Sequence, residues 1–134
     1  MTTTNNESTG TLTYRETPEF QRDFKRLKKR FRTLDEDFAL MKRAAIELLH
    51  LRKIDNGACI EIEGFCPKPR LSYKVVKFAC KSLKNKGVRS GLRAIYVFDE
   101  SAGTVHFVEI YYHEKDGTDL DRERLARFLQ GFSA

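Results

Sequence analysis

Two apolar stripes at helical spacing follow one another in the first third of the chain, and they limit the folds that it can adopt. Thr17 and Pro18 are suitable residues for the start of the first helix, since Thr caps a helix and Pro fits its first turn. The stripe repeats at intervals of four, three and four residues, as one face of an amphipathic helix does, and consists of Phe20, Phe24, Leu27 and Phe31.

The second stripe predicts another amphipathic helix directly after the first. Thr33 and Glu36 have the spacing of a capping box at its start. Two such helices joined by a very short link form a helical hairpin, and their apolar faces need a sheet to cover them. The apolar positions of this second helix are Leu34, Phe38, Met41, Ala45, Leu48 and Leu49.

The rest of the chain is rich in strand-like runs and ends in a helix. A short edge strand is expected at Cys59–Glu63, and the last helix is expected to begin near Thr118. The predicted fold class is therefore α+β, with the order β-α-α-β-β-β-α and the helical hairpin packed on an antiparallel sheet. The main predicted strands are Leu12–Glu16, Tyr73–Leu83, Leu92–Phe98 and Val105–Tyr112, the last two joined by a hairpin at Asp99–Gly103.

Length and composition favour one domain in a reducing compartment. At 134 residues we expect a disordered N-terminal tail over residues 1–10, with no signal peptide, and a single domain over residues 11–134. No run reaches the ~20 apolar residues of a membrane span, so no membrane partner is expected. The chain has an odd number of cysteines, which favours a cytoplasmic location: Cys59, Cys66 and Cys80. The spacing between Cys59 and Cys66 does not suit a zinc site.

Positive charge is concentrated in one part of the chain. The stretch Gly64–Phe98 holds nine Lys or Arg residues and no Asp or Glu, whereas the final 36 residues hold eight acids and four bases. Basic residues beside apolar residues that must be buried predict a surface that binds a polyanion.

Three segments, taken in order, resemble the RelE/ParE toxin superfamily of toxin–antitoxin modules over roughly Tyr14 to Phe132. The first is Pro18-Glu19-Phe20 at the start of a basic helix. The second is Lys77–Ser82 followed by Gly87 and then Ser90–Tyr96, which is similar to a basic strand, a loop and a "G-x-R-x-x-Y" strand. The third is Phe107–Lys115, a hydrophobic strand that ends in a His/Lys cluster.

The resemblance implies a toxin that cuts messenger RNA without a metal or other cofactor, often on the ribosome. It also implies an antitoxin protein as a partner that holds the toxin inactive. Three alternatives stay open: inhibition of DNA gyrase without catalysis, as in ParE-like toxins, RNA binding without cleavage, and a small basic domain whose charges only keep it soluble. The chain departs from the family's best-known ribonucleases because it has no clear match to their C-terminal Tyr or Arg after Lys115.

Four residues are predicted to carry the chemistry of RNA cleavage. Arg93 matches the family's strand arginine, and its guanidinium can bind two phosphate oxygens at once. His113 is the expected general acid or base, since histidine is the side chain most often used for proton transfer near neutral pH. Lys77 and Lys81 are expected to stabilise phosphate charge if the strand register places them near Arg93. An ion pair or a solvated strand face is the ordinary alternative for each cation.

A second group is predicted to contact RNA without taking part in the reaction. The basic members are expected to contact backbone phosphates, and the tyrosine is expected to stack on a base, to act as an acid or to be part of the core. These residues are Lys74, Lys84, Lys86, Arg89, Tyr112 and Lys115.

Overall fold

A five-stranded mixed sheet forms the centre of the fold, with helices on both of its faces. The computed structural model describes residues 10–83, 87–113 and 119–132. The predicted tail, residues 1–10, therefore lies outside the described residues except for Gly10. The elements are β1 (Thr13–Glu16), α1 (Pro18–Arg30), α2 (Leu34–Met41, continuing through a π-helical segment at Lys42–Glu47 to a last turn at Leu48–His50), β2 (Cys59–Glu61), β3 (Arg70–Val75), β4 (Leu92–Asp99), β5 (Thr104–Tyr112) and α3 (Arg122–Gly131).

The strand order is β1-β5-β4-β3-β2, and the prediction of an entirely antiparallel sheet is wrong at one edge. β1 pairs with β5 in parallel, from Thr13 opposite Thr104 to Glu16 opposite Phe107. The other neighbouring strands are antiparallel. A parallel pair needs a long connection rather than a hairpin, and the two helices and three strands between β1 and β5 provide it.

The helical hairpin forms as predicted, although only one of its two predicted caps does. The Thr17 hydroxyl accepts a hydrogen bond from the Phe20 backbone N–H at 3.0 Å and caps α1. Thr33 precedes α2 but does not cap it with its side chain. Its hydroxyl instead donates to the Asp37 carboxylate at 2.7 Å, and Glu36 pairs with Lys81, so the predicted capping box does not form.

The sheet separates two hydrophobic clusters. The hairpin face holds the larger one, in which Phe20 of α1 and Phe38 of α2 pack on Phe107 with ring centroids 5.3 and 4.8 Å apart. The α3 face holds Ile95 and Val97 of β4 beneath Leu125 of α3. Alternate residues of β4 therefore reach opposite faces, which fixes the side on which each polar residue lies.

The predicted boundaries of three elements are wrong, and the first is β2, which ends at Glu61 rather than Glu63. β3 covers Arg70–Val75 rather than Tyr73–Leu83, because Leu71, Tyr73 and Val75 supply its buried alternation. After Val75 the chain leaves the strand, and Phe78 and Cys80 enter the hairpin-face core. α3 begins at Arg122, where the Asp121 carboxylate accepts from the Arg124 backbone N–H at 3.1 Å. The predicted start at Thr118 lies outside the described residues.

Candidate nucleic-acid interface

The start of β4 and the end of β5 bring two of the predicted catalytic residues onto neighbouring strands. Arg93 lies opposite Tyr111 in the register, and Leu92 lies opposite Tyr112. The pairing extends one residue further, because the His113 backbone N–H donates to the Gly91 carbonyl at 2.7 Å. We call this end of the sheet, from Gly91 to Arg93 and from Tyr111 to His113, the β4–β5 end.

Arg93 is held in place by backbone carbonyl groups. Its Nη1 donates to the Leu92 carbonyl at 3.1 Å and, more weakly, to the Val76 carbonyl at 3.4 Å. Alternation along β4 places Arg93 on the same face as Ile95 and Val97, beside α3. Its side chain is half-buried, and no carboxylate pairs with it among the described residues. A cation that bonds only to neutral carbonyls keeps its charge available for an anion.

His113 lies diagonally across from Arg93. Because Gly91 is opposite His113 and Arg93 is two residues further along β4, the Cα atoms of His113 and Arg93 are diagonal neighbours, roughly 7–8 Å apart in such a ladder. Alternation from Tyr111 places both residues on the α3 face. The β4–β5 end therefore places an arginine and a histidine as diagonal neighbours on one face of the sheet.

A cluster centred on Asp119 lies on the same face. One carboxylate oxygen, Oδ1, accepts from Lys74 Nζ at 2.8 Å and from the Tyr111 hydroxyl at 3.2 Å. Arg122 donates to the other, Oδ2, at 3.3 Å. The hydrogen bond from Lys74 lowers the pKa of Asp119 to about 2, so this carboxylate is charged at any physiological pH. Burial, followed by the nearby Asp119 charge, raises the pKa of Tyr111, and Arg93 has a smaller opposing effect.

The sequence predicted one residue of this cluster and missed the others. Lys74 was expected to contact RNA, and the structure places it on the α3 face, opposite Ile95 and next to Arg93. The sequence predicts no role for Tyr111, Asp119 or Arg122. The only local signal for Asp119 is its position just before the helix-capping residue Asp121, and that signal does not reveal a contact with a lysine in β3.

Lys77 and Lys81 do not join Arg93 in the sheet, because β3 ends at Val75. Lys77 Nζ donates to the Asn56 carbonyl at 2.6 Å. Lys81 is held at α2: its backbone N–H donates to Asp37 at 3.1 Å, and its Nζ lies 3.2 Å from Glu36. α2 covers the hairpin face, whereas Arg93 lies on the α3 face. The prediction that Lys81 lies near Arg93 is therefore wrong.

Tyr112 lies on the hairpin face and packs under α1. Its ring is 5.0 Å from the ring of Phe31, and the Arg30 guanidinium lies 4.9 Å from its centroid. It therefore faces away from Arg93. The Arg89 side chain is exposed beside a backbone bridge to Phe78. The predicted RNA-contacting residues Lys84, Lys86 and Lys115 lie outside the described residues.

The outer surface of α1 is a second basic feature. Of its cations, Arg26 pairs with Asp23, and Lys28 pairs with Asp35 of α2. Exposed cations lie along the helix and at the second residue after its end, and we call them the basic row of α1: Arg22, Lys25, Arg26, Lys28, Lys29, Arg30 and Arg32.

No protein-family model matches the sequence, and no curated protein matches it. Within the described ranges, no helix combines the length and the apolar character needed to cross a membrane.

Proposed function

We propose that this protein is an RNA-cleaving toxin of a toxin–antitoxin module, in which Arg93 binds the scissile phosphate and His113 transfers a proton. The observation that carries the proposal is the diagonal placement of Arg93 and His113 on one face of the β4–β5 end. The order of the basic segments along the sequence supports it, through the resemblance to RelE-like toxins.

The two residues match the demands of cleavage by the 2′-hydroxyl of the RNA itself. In that reaction the 2′-oxygen loses its proton and bonds to phosphorus, while the bond from phosphorus to the 5′-oxygen breaks and the leaving oxygen takes a proton. The products are a 2′,3′-cyclic phosphate and a free 5′-hydroxyl. Arg93 stabilises the negative charge that grows on the phosphorane oxygens, and His113 acts as the general acid or base.

The decisive experiment compares wild type with Arg93→Ala during induced expression, with the 5′ ends of cellular RNA mapped. Loss of the guanidinium is expected to lower cleavage roughly 100-fold or more, since preorganised charge at a phosphorane contributes at least that much. Growth arrest is expected to disappear in parallel. Arg93→Lys keeps the charge but loses bidentate binding, so we expect it to recover only part of the activity.

Arg52→Ala is the matched control, because Arg52 is an exposed arginine that follows α2 and belongs neither to the β4–β5 end nor to α1. It should cleave RNA like wild type. Full cleavage by Arg93→Ala would refute the proposal. Growth arrest with DNA damage and intact transcripts would instead indicate gyrase inhibition, and bound but uncut RNA would indicate a binding module.

A further inference from the structure

A groove of about 440 Å³ lies between the edge strand β2 and the start of α3, next to the Asp119 cluster. Its apolar walls come from Ile60, Ile62, Val76 and Leu120. Ile60 is 53% exposed although it is a large aliphatic residue in a strand. A volume of this size, with apolar walls beside a few charged groups, is typical of sites for small organic groups.

Both cations of the groove already hold an anionic group. Lys74 and Arg122 line the groove, and these same side chains bind the two oxygens of the Asp119 carboxylate. The acids Glu61 and Glu63 also line the groove and disfavour phosphate close to them. The position that Asp119 occupies between Lys74 and Arg122 is therefore the one best suited to an anion.

We propose that this groove binds one nucleotide of an RNA strand, with the base between the apolar walls and the phosphate at Lys74 and Arg122 in place of the Asp119 carboxylate. This inference rests on the proposed function and extends it, since it assigns a position to the RNA next to the cleaved bond. In the free protein, Asp119 competes with RNA for the same two cations.

The groove is connected to the residue proposed to bind the scissile phosphate. Arg93 Nη1 donates to the carbonyl of Val76, which is itself a wall of the groove. Lys74 lies opposite Ile95, so Lys74 and Arg93 are diagonal neighbours across β3 and β4. Consecutive phosphates of one strand can therefore contact Lys74 and Arg93, which places the bound nucleotide immediately beside the cleavage position.

The binding of adenosine 5′-monophosphate and of inorganic phosphate, measured by calorimetry at low salt, tests the groove directly. Wild type is expected to bind the nucleotide about tenfold more tightly than phosphate, because only the nucleotide buries a base. Lys74→Gln should weaken both ligands about tenfold. Ile60→Trp fills the groove and should reduce nucleotide affinity to the level of phosphate. The variant should still fold, because Ile60 is exposed at the edge of the sheet, and thermal melting would verify this.

Asp119→Asn tests the competition. It should strengthen the binding of both ligands about tenfold, since the internal anion is removed. Glu123→Gln is the matched control, because it makes the same change of charge at an exposed position in the first turn of α3. An equal gain in the two variants would overturn the competition, and nucleotide affinity that Ile60→Trp leaves unchanged would overturn the base site.

Failure of this inference is distinct from failure of the proposed function. Cleavage that depends on Arg93 in a protein that does not bind the nucleotide would overturn the groove alone. Nucleotide binding that depends on Lys74 in a protein that never cuts RNA would support the groove and refute the nuclease.

Discussion

His50 is a buried histidine whose environment favours the neutral form. Its Nε2 lies 2.8 Å from the Tyr96 hydroxyl, and its ring stacks on Phe98 with centroids 4.0 Å apart. Burial, with a smaller effect from the Lys53 charge, lowers the pKa of His50 from 6.5 to about 4. Because the folded state resists protonation, His50 contributes its full stability above pH 6.5 and loses it as the pH falls toward 4.

We therefore predict that the free energy of unfolding falls between pH 6.5 and 4 by up to about 3 kcal/mol from this one residue. Denaturant unfolding at several pH values would measure the fall. His50→Gln retains a polar partner for Tyr96 and does not titrate, so its stability should change less over the same range. Parallel curves for the two proteins would contradict this account.

Arg93 and Asp119 differ in how far the sequence could predict their roles. The role proposed for Arg93 comes from the resemblance to RelE-like toxins, which rests on a local pattern: a glycine two residues before Arg93 and a tyrosine three residues after it. A local pattern can be recognised without knowledge of the fold. The role of Asp119 depends instead on its hydrogen bonds with Lys74 and Tyr111, which lie on two different strands. Contacts of this kind depend on strand register and on the path of the chain before α3, and neither is present in local periodicity.

At the scale of elements, Gly91 fixes the geometry of the β4–β5 end. It has a φ of +97°, which favours glycine, and a Cβ there would lie 3.0 Å from both the His113 carbonyl oxygen and the Tyr112 ring. The close approach allows the backbone bond that holds His113 in register. A side chain at this position would move the end of β5 away from β4.

Gly91→Ala is accordingly expected to lower the free energy of unfolding by roughly 1–3 kcal/mol and to reduce RNA cleavage as well. Gly103→Ala is the matched control, since Gly103 also has a positive φ, of +61°, but a Cβ there meets nothing within 4 Å. Thermal melting and cleavage assays on both variants would separate backbone strain from displacement of His113. Equal effects on cleavage would show that the close contact at Gly91 does not matter.

The sequence predicts the start of α1 correctly and the bounds of β3 wrongly, and the difference has a physical reason. α1 carries a regular stripe and a strong cap, so its start was correct. The boundary of β3 was wrong because Ser72 is fully buried although polar, while Phe78 and Cys80 are buried outside any strand. Burial by a neighbouring helix imitates the alternation of a strand, and a single sequence does not separate the two cases.

At the scale of the whole molecule, the net charge of +6 and the exposed basic row of α1 predict strong dependence of RNA binding on salt. For single-stranded RNA, the logarithm of the binding constant should fall linearly with the logarithm of salt concentration. Replacing Lys25 and Lys29 with Gln should make the slope shallower by about 1.4, because each lost phosphate contact contributes about 0.7. Arg52→Gln, on an exposed residue after α2, should leave the slope unchanged, and an identical slope in all three proteins would exclude α1 from the interface.

The parallel pairing of β1 with β5 has a consequence for how the chain acquires its shape during synthesis. Thr13 pairs with Thr104, and the Phe20 side chain of α1 packs on Phe107. The segments that leave the ribosome first therefore contact segments that leave it among the last. Contacts so distant along the chain form slowly. A truncated product that stops before β5 therefore lacks both the partner of its first strand and the His113 end of the proposed site, so neither forms until translation is almost finished.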